Sequence, residues 1–309
     1  MYRGRRVAVV VPAHNEARHL PGVLRAIPEF VDRVFVVDDG STDGTSEAAR
    51  AVSDPRIEVL RHEQPRGVGG ATLAGFRRAL EEGADLLAKV DGDGQMDPAF
   101  LPRLLDPLCD GCGYAKGNRF LHADALRRMP RPRLVGNFLL TFLTKLASGY
   151  WRIFDPQNGY VAARAEVLRL LDLGKISEDF FFENDMLIHL NVHGVRVCDV
   201  PLEARYGDEE SSLRIRQVLL TFPYKLFRGF WYRVYEKYIL RDFSPIGVFW
   251  FLGAPLLVWG TGFGLWTWAR SLVTGHPATT GTVMLSVLPF LLGFELVLQA
   301  IILEIRESS

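Results

Sequence analysis

Cysteine is scarce in this chain: Cys109, Cys112 and Cys198 are the only three among 309 residues. So few thiols fit a reduced compartment. Cys109-Asp-Gly-Cys112 has the C-x-x-C spacing, but no second pair completes a zinc site and no redox context surrounds it. It reads as a loop thiol pair without function. An excess of charge is also missing. The 36 basic and 36 acidic residues cancel to a formal net charge of zero, which removes nucleic acid as a main partner. The N-terminus lacks a signal peptide, because its basic residues run at once into a short strand with no h-region or cleavage site. Nucleotide fingerprints of the dinucleotide or P-loop kind are absent too. Gly67-Val-Gly-Gly-Ala-Thr72 matches neither and reads as tight packing at a helix start.

The chain does have a strand that runs into acid. The apolar run Ala84 to Val90 leads into Lys89-Val-Asp-Gly-Asp-Gly-Gln-Met-Asp-Pro98. Alternation places Asp91 and Asp93 on one side of an extended chain. Two carboxylates that close repel unless a cation sits between them. Oxygen ligands without His or Cys favour Mg²⁺ or Mn²⁺, completed by substrate phosphates, and Gln95 adds a neutral oxygen. A calcium EF-hand loop is excluded, since Met96 and Pro102 stand where Gly and Glu are required.

Strand and helix alternate ahead of this point. Arg6 to Val11 reads as a buried parallel strand stopped by Pro12-Ala-His-Asn-Glu16, with a helix from Asn15 or Glu16 through Ile27. Val34 to Val37 is a second strand, ending in Asp38-Asp-Gly-Ser-Thr-Asp-Gly-Thr45, which opens a helix to Ala51. Ile57 to Leu60 is a third, followed by a helix from the glycine run to Glu82. This alternation predicts an α/β fold with a mostly parallel sheet covered on both faces, and ligands bind such sheets at the carboxyl edge. Further on, Tyr114 to Phe120 reads as a strand, Arg127 to Arg133 as a mobile basic loop and Gly136 to Tyr150 as a helix near a membrane surface. Asp155 to Tyr160 is a turn before a short strand. Glu178 to Asp185 leads into a helix to Val192, and Val195 to Pro201 is an edge strand.

The C-terminal part is of another kind. Pro245 to Ala269 holds roughly 25 residues without a charge, and Val283 to Leu303 roughly 21, interrupted by Glu295 and Gln299; each is long enough to span a bilayer. Trp250, Trp259, Trp266 and Trp268 suit an interfacial or lipid-facing setting. Arg214, Arg216, Lys225, Arg228, Arg233, Lys237 and Arg241 precede the first span, while the connection carries only Arg270 and His276. The positive-inside rule therefore puts residues 1–240 in the cytoplasm. Leu213 to Leu240 interleaves apolar and basic residues, as helices lying in the membrane interface do. Three parts are expected: 1–212 catalytic, 213–242 amphipathic and 243–309 a transmembrane hairpin. Gly253, Gly260 and Gly264 offer a surface for packing against a second copy of the chain.

Pro12-Ala-His-Asn-Glu16, Val37-Asp-Asp-Gly-Ser-Thr-Asp43, Asp91-Gly-Asp-Gly-Gln95 and Gly117-Asn-Arg119 together resemble, in order and spacing, the family 2 glycosyltransferases with a GT-A, Rossmann-like fold. The likeness covers roughly residues 5–215 and is greatest to dolichol- and polyprenyl-phosphate mannose or glucose synthases. The resemblance implies that Pro12, His14 and Glu16 line a nucleotide pocket, with Val37 and Asp39 at the base and ribose. It implies Asp91, Gly92 and Asp93 on the nucleotide sugar, and Asp93 with Gln95 on Mg²⁺ or Mn²⁺. Arg119 and Arg133 would hold an acceptor phosphate, and Arg205 the donor diphosphate. His14 departs from the family's Tyr. Ser212 departs from its late Lys, which puts that loop's phosphate contacts in question and leaves Arg214 as a substitute.

The reaction so implied moves one hexose, with inversion, from a nucleotide diphosphate sugar (GDP-mannose, UDP-glucose or UDP-GlcNAc) to dolichyl or undecaprenyl phosphate. A phosphate oxygen is already anionic, so cationic clamps matter more than a base. The alternative is attack by a sugar hydroxyl of a glycolipid or polysaccharide, which needs a carboxylate base such as Asp185 or Glu183. As helix-start acids these two residues also complement the helix dipole.

Overall fold

The computed structural model describes residues 1–119, 131–202 and 215–307, with the main chain alone at 131–135, 137 and 215–220. The chain divides into two compact units, Met1–Gly229 and Phe230–Ser309.

The first unit is built on a seven-stranded sheet. Its strands are β1 (Val7–Ala13), β2 (Arg33–Asp38), β3 (Ile57–Arg61), β4 (Leu86–Lys89), β5 (Tyr114–Asn118), β6 (Val161–Arg164) and β7 (Val197–Pro201), in the order β3-β2-β1-β4-β6-β5-β7. Only β6 runs against the others. All seven residues of β1 are buried, because it lies between β2 and β4 and is covered on both faces. Val7, Val9 and Val11 meet one apolar layer with Leu20, Leu24 and Leu104; Ala8 and Val10 meet the other with Leu73, Phe76 and Met186. Each such side chain contributes about 1.5–3 kcal/mol when fully buried.

Among the described residues, the sheet is flanked by helices α1 (Leu20–Ala26), α2 (Thr45–Arg50), α3 (Val68–Glu81), α4 (Leu101–Cys109), α5 (Arg131–Ser148), α6 (Ala165–Leu170) and α7 (Phe182–Val192). Helix α3 presses onto β1 at Gly75, where a Cβ would collide with Val10. Helix α1 starts later than the expected Asn15 or Glu16. Asn15 has φ +59°, and the N–H groups of residues 15–17 donate to side chains of the next loop instead of opening a helix. The basic segment ending at Arg133 is helical from Arg131, since Pro132 falls in the first turn, where its missing N–H costs nothing. Its residues 127–130 lie outside the described residues. Helix α6 has no counterpart in the sequence-based expectation.

The reading of Cys109 and Cys112 as a loop thiol pair needs correction. Cys112 and Cys198 form a disulfide with Cα atoms 6.2 Å apart, and Cys109 stays free. Cys112 finds its partner 86 residues away because β5 pairs with β7, a neighbourhood that spacing along the chain does not reveal.

Helix α8 (Ile215–Tyr235) starts in the first unit. There Phe222 meets Phe181 edge to face and Lys225 pairs with Asp179, while Tyr224 and Phe227 are exposed. The second unit holds α9 (Pro245–Thr274) and α10 (Thr280–Glu307), both long and apolar enough to cross a membrane. They pack antiparallel: Gly253 faces Leu296 and Val297, Gly260 faces Phe290, and Gly264 faces Ser286. The three glycines expected to meet a second chain are thus used inside the hairpin, where their lack of a side chain lets the backbones approach. Their outer faces leave Trp259, Trp266, Trp268, Leu285 and Leu288 exposed, unlike the buried helices of a soluble core. Glu295 is exposed and accepts from Gln299 Nε2 at 2.9 Å. Glu304 is buried, and both Arg233 at 3.3 Å and Trp250 Nε1 at 3.1 Å reach its carboxylate.

Candidate active site

Strands β1, β2 and β4 end at one edge of the sheet, and their loops carry most of the predicted residues. Pro12 is buried in β1 and pairs with Val37 of β2, which is fully buried. The two loops beyond are laced together. Asp39 N donates to Ala13 O at 2.9 Å, and His14 Nδ1 lies 2.7 Å from Asp39 O. Asn15 N reaches Ser41 Oγ, Glu16 N reaches Thr45 Oγ1, and Thr42 N returns to Asn15 Oδ1, each at 2.9 Å. Small hydroxyl and amide side chains serve here because they satisfy main-chain donors locally.

Asp38 and Asp39 have structural work at this edge. Burial pushes the Asp38 carboxyl up, but hydrogen bonds from Ser41 and Ser46 outweigh it and hold its pKa below the usual range. Asp39 accepts from Arg66 N at 2.9 Å and Gly67 N at 2.7 Å and pairs with His62 at 2.7 Å. It thereby anchors the start of α3. The glycine run follows, and it is tight packing as expected. Gly67, with φ +94°, leaves no room for a Cβ, which would stand 2.7 Å from Glu178 O, and Gly70 N donates to that same oxygen at 2.8 Å.

At the end of β4, Gly92 N donates to Pro12 O at 3.1 Å, which draws the acidic loop against β1. Gln95 N donates to Asp93 Oδ1 at 2.9 Å, a local turn that sets Asp93 at the loop tip beside the exposed Gln95. Asp91 is differently placed. Its Oδ1 is 2.6 Å from Nζ of the buried Lys89, an ion pair outside hydrogen-bond geometry. Nζ also lies 3.5 Å from Glu183 Oε1 and 3.4 Å from Gly159 O. Burial alone would lower the Lys89 pKa, but Asp91 and Glu183 together raise it, so the ammonium stays charged.

A second buried lysine stands two strands away. Lys116 of β5 donates to Asn158 O at 2.6 Å. Burial pushes its pKa down to about 8, with Glu183 and Asp155 offsetting part of that. Arg119 follows β5, and its guanidinium is held by the buried Asp155 through Nε at 2.8 Å and Nη2 at 3.2 Å. Asp185 points elsewhere. It accepts from Ser177 N at 2.8 Å and Ser177 Oγ at 2.7 Å and lies 3.5 Å from His189. Burial raises the Asp185 pKa, but these partners lower it further. Of the two helix-start acids, Glu183 is therefore the one that shares Lys89 with Asp91.

Arg133 lies in the first turn of α5, with its side chain outside the described residues, and Arg205, Ser212 and Arg214 lie wholly outside them. Lys89, Lys116, Asp155 and Gly159 had no role in the sequence reading. The available signal was a lysine inside each of two buried strands, the last residue of β4 and the middle one of β5, since unpaired lysine is almost never fully buried.

The oxygen-only donors at Asp93 fit a hard cation that takes few protein ligands and completes its shell with phosphate oxygens. Among the described residues no group of three His, Cys, Asp or Glu could hold a metal by itself.

A doubly covered, mostly parallel sheet whose carboxyl edge gathers acids, glycines and an arginine defines an α/β enzyme scaffold with its ligand site at that edge. The chain belongs to glycosyl transferase family 2, whose model matches residues 8–171, and it is a glycosyltransferase. An undecaprenyl-phosphate mannosyltransferase of Micrococcus luteus is 36% identical over 67% of this chain and 88% of the relative. A polyprenol monophosphomannose synthase of Mycolicibacterium smegmatis is 35% identical over 64% and 76%. A dolichyl-phosphate N-acetylglucosaminyltransferase of Methanococcus voltae, using UDP-N-acetylglucosamine, is 28% identical over 70% and 92%. Among solved structures, glucosyl-3-phosphoglycerate synthase of Mycobacterium tuberculosis with Mn²⁺, UDP-glucose and glycerol 3-phosphate superposes with TM-score 0.54 at 25% identity, covering 74% of this chain and 80% of that one. The GT-A reading of the fold holds.

Proposed function

We propose that this protein transfers one hexose, with inversion, from a nucleotide diphosphate sugar to a polyprenyl phosphate. The observation that carries the choice of acceptor is the state of the two candidate bases. Asp185 is committed to Ser177 and His189, and Glu183 to the buried Lys89. A sugar hydroxyl needs a base to take its proton, whereas a phosphate oxygen attacks as an anion already. The named activities of the Micrococcus, Mycolicibacterium and Methanococcus relatives support the same acceptor class.

In this reading Pro12, His14, Glu16, Val37 and Asp39 receive the nucleoside. Asp91 and Gly92 face the donor sugar, and Asp93 with Gln95 holds Mg²⁺ or Mn²⁺. The Mn²⁺ named with UDP-glucose in the Mycobacterium structure supports that choice. When bound, the metal neutralises charge building on the departing diphosphate. Asp155 orients the Arg119 guanidinium, which, with Arg133, binds the acceptor phosphate. Arg205 reaches the donor diphosphate.

A polyprenyl chain leaves the bilayer only at about 0.8 kcal/mol per CH₂, so the enzyme works at the membrane. Residues 1–212 are the catalytic part, on the cytoplasmic face; residues 213–242 lie in the interface and 243–309 anchor it. The test is a screen of labelled GDP-mannose, UDP-glucose and UDP-N-acetylglucosamine with purified protein, Mg²⁺ or Mn²⁺ and undecaprenyl or dolichyl phosphate. Label appearing in a glycolipid stable to mild acid, with none on the lipid phosphate, would transfer the assignment to the hydroxyl acceptor.

A further inference from the structure

A lysine sealed inside a sheet is a costly choice. Lys89 has 1% of its side chain exposed and a partner, Asp91, with 24% exposed. Replacing a buried ion pair by an apolar side chain is often neutral or stabilising, so stability alone gives no reason to keep it. The geometry gives another. The Asp91 oxygen nearest Lys89 is shielded from solvent, so the exposed part of the carboxylate is its other side. Glu183 from α7 and the Gly159 carbonyl hold the ammonium from behind. Gly159 is shaped for this pair: a Cβ there would stand 2.5 Å from Lys89 Nζ and 3.0 Å from Asp91 Oδ2. Its φ is not positive, so glycine is needed there for space, not for backbone freedom.

We propose that Lys89 is a positioning residue for the sugar donor: its buried ammonium takes one oxygen of Asp91, turns the other toward the donor's hydroxyls and keeps Asp91 out of the metal's shell. This rests on the reading of Asp91 as the sugar-facing carboxylate. A hydroxyl needs an aligned, ionised acceptor, and Asp91 would otherwise swing toward a divalent cation two residues away. Of the Asp91 and Asp93 pair, Asp93 is then the carboxylate left for the metal, and Glu183 acts as counter-ion instead of base.

The test uses full-length protein, Mn²⁺ and the donor that the wild type turns over. Lys89→Met and Gly159→Ala are compared in transfer kinetics, and in calorimetric affinity for the matching nucleoside diphosphate with Mn²⁺. Both variants should lose roughly 10- to 100-fold in kcat/KM for the sugar donor, the range for one charged hydrogen bond. Affinity for the diphosphate with Mn²⁺, which lacks the sugar, should stay within about twofold. In an Asp91→Asn background Lys89→Met should cost little more, since it acts through Asp91. An equal loss of diphosphate affinity, unchanged kinetics, or full additivity with Asp91→Asn would overturn the inference. If Lys89→Met fails to fold, Gly159→Ala decides alone. A wild type inactive with every donor sinks the transferase reading and this inference with it; an active wild type with unaffected variants sinks this inference only.

Discussion

The two sides of the sheet hold their functional loops by different means. On the β1–β2 side, main-chain N–H groups donate to neutral or local acceptors: Asn15 to Ser41, Glu16 to Thr45, Thr42 to Asn15. On the β4–β5 side, loops are held by cations set into the protein: Lys89 on Asp91 and Glu183, Lys116 on Asn158, Arg119 on Asp155. The first arrangement ties two strand-end loops together through short local hydrogen bonds, with the carboxylates of Asp38, Asp39 and Asp43 spent on main-chain N–H groups and on His62. The second places formal charges at fixed points beside the acidic loop, suited to substrates whose charge shifts during reaction.

The largest expected effect lies where the two sides meet. Asp93→Ala should lower transfer about 10³-fold, the several kcal/mol that a metal supplies to a leaving phosphate. Metal-dependent nucleotide binding should fall with it, measured by calorimetry with and without Mn²⁺. Retained turnover would detach the metal from this loop. Next comes the charged side: Asp155→Ala strips Arg119 of its carboxylate and should destabilise the protein by about 2–3 kcal/mol. That is below the full cost of breaking a buried pair, because the Arg119 side chain is 39% exposed. The neutral side should respond less. Ser41→Ala removes one acceptor and should cost about 1 kcal/mol in denaturant unfolding. A larger loss at Ser41 than at Asp155 would reverse the contrast.

The smallest effect is a pH dependence. Burial works against a charge on His189, but Asp185 outweighs it and raises its pKa above the ordinary 6.5. The stability this supplies is complete below 6.5 and is lost as pH rises through the folded value. Asp185 is held below 3.8, so its contribution stands above 3.8 and goes only in stronger acid. The difference in thermal midpoint between wild type and His189→Gln should therefore be full below pH 6.5 and narrow as pH rises above it. A difference that widened would contradict the pairing.

Much of the nucleotide side was legible in the chain. Strand ends rich in Asp, Gly, Ser and Thr mark loops whose small side chains bond their neighbours, and β1, β2, β3 and β4 lie where the apolar runs place them. The charged side was not. Glu183 and Asp185 stand two positions apart with similar local surroundings, yet one turns to Lys89 and the other to Ser177. Helix α1 started late because its first N–H groups were taken by a loop some 26–29 residues on, a competition that a helix propensity does not register.

What the amino-acid order determined alone was periodic or compositional: the α/β alternation, the acidic strand ends and two long apolar spans. These follow from side-chain spacing of two or 3.6 residues and from bilayer thickness, so neighbours along the chain suffice. What only the tertiary structure decided was pairing across distance. Lys89 meets Glu183 over 94 residues, Cys112 meets Cys198 over 86, and three small glycines face the partner helix of their own hairpin. A charge or a thiol interacts over a few ångströms in any direction, and only the packed chain sets which group stands there.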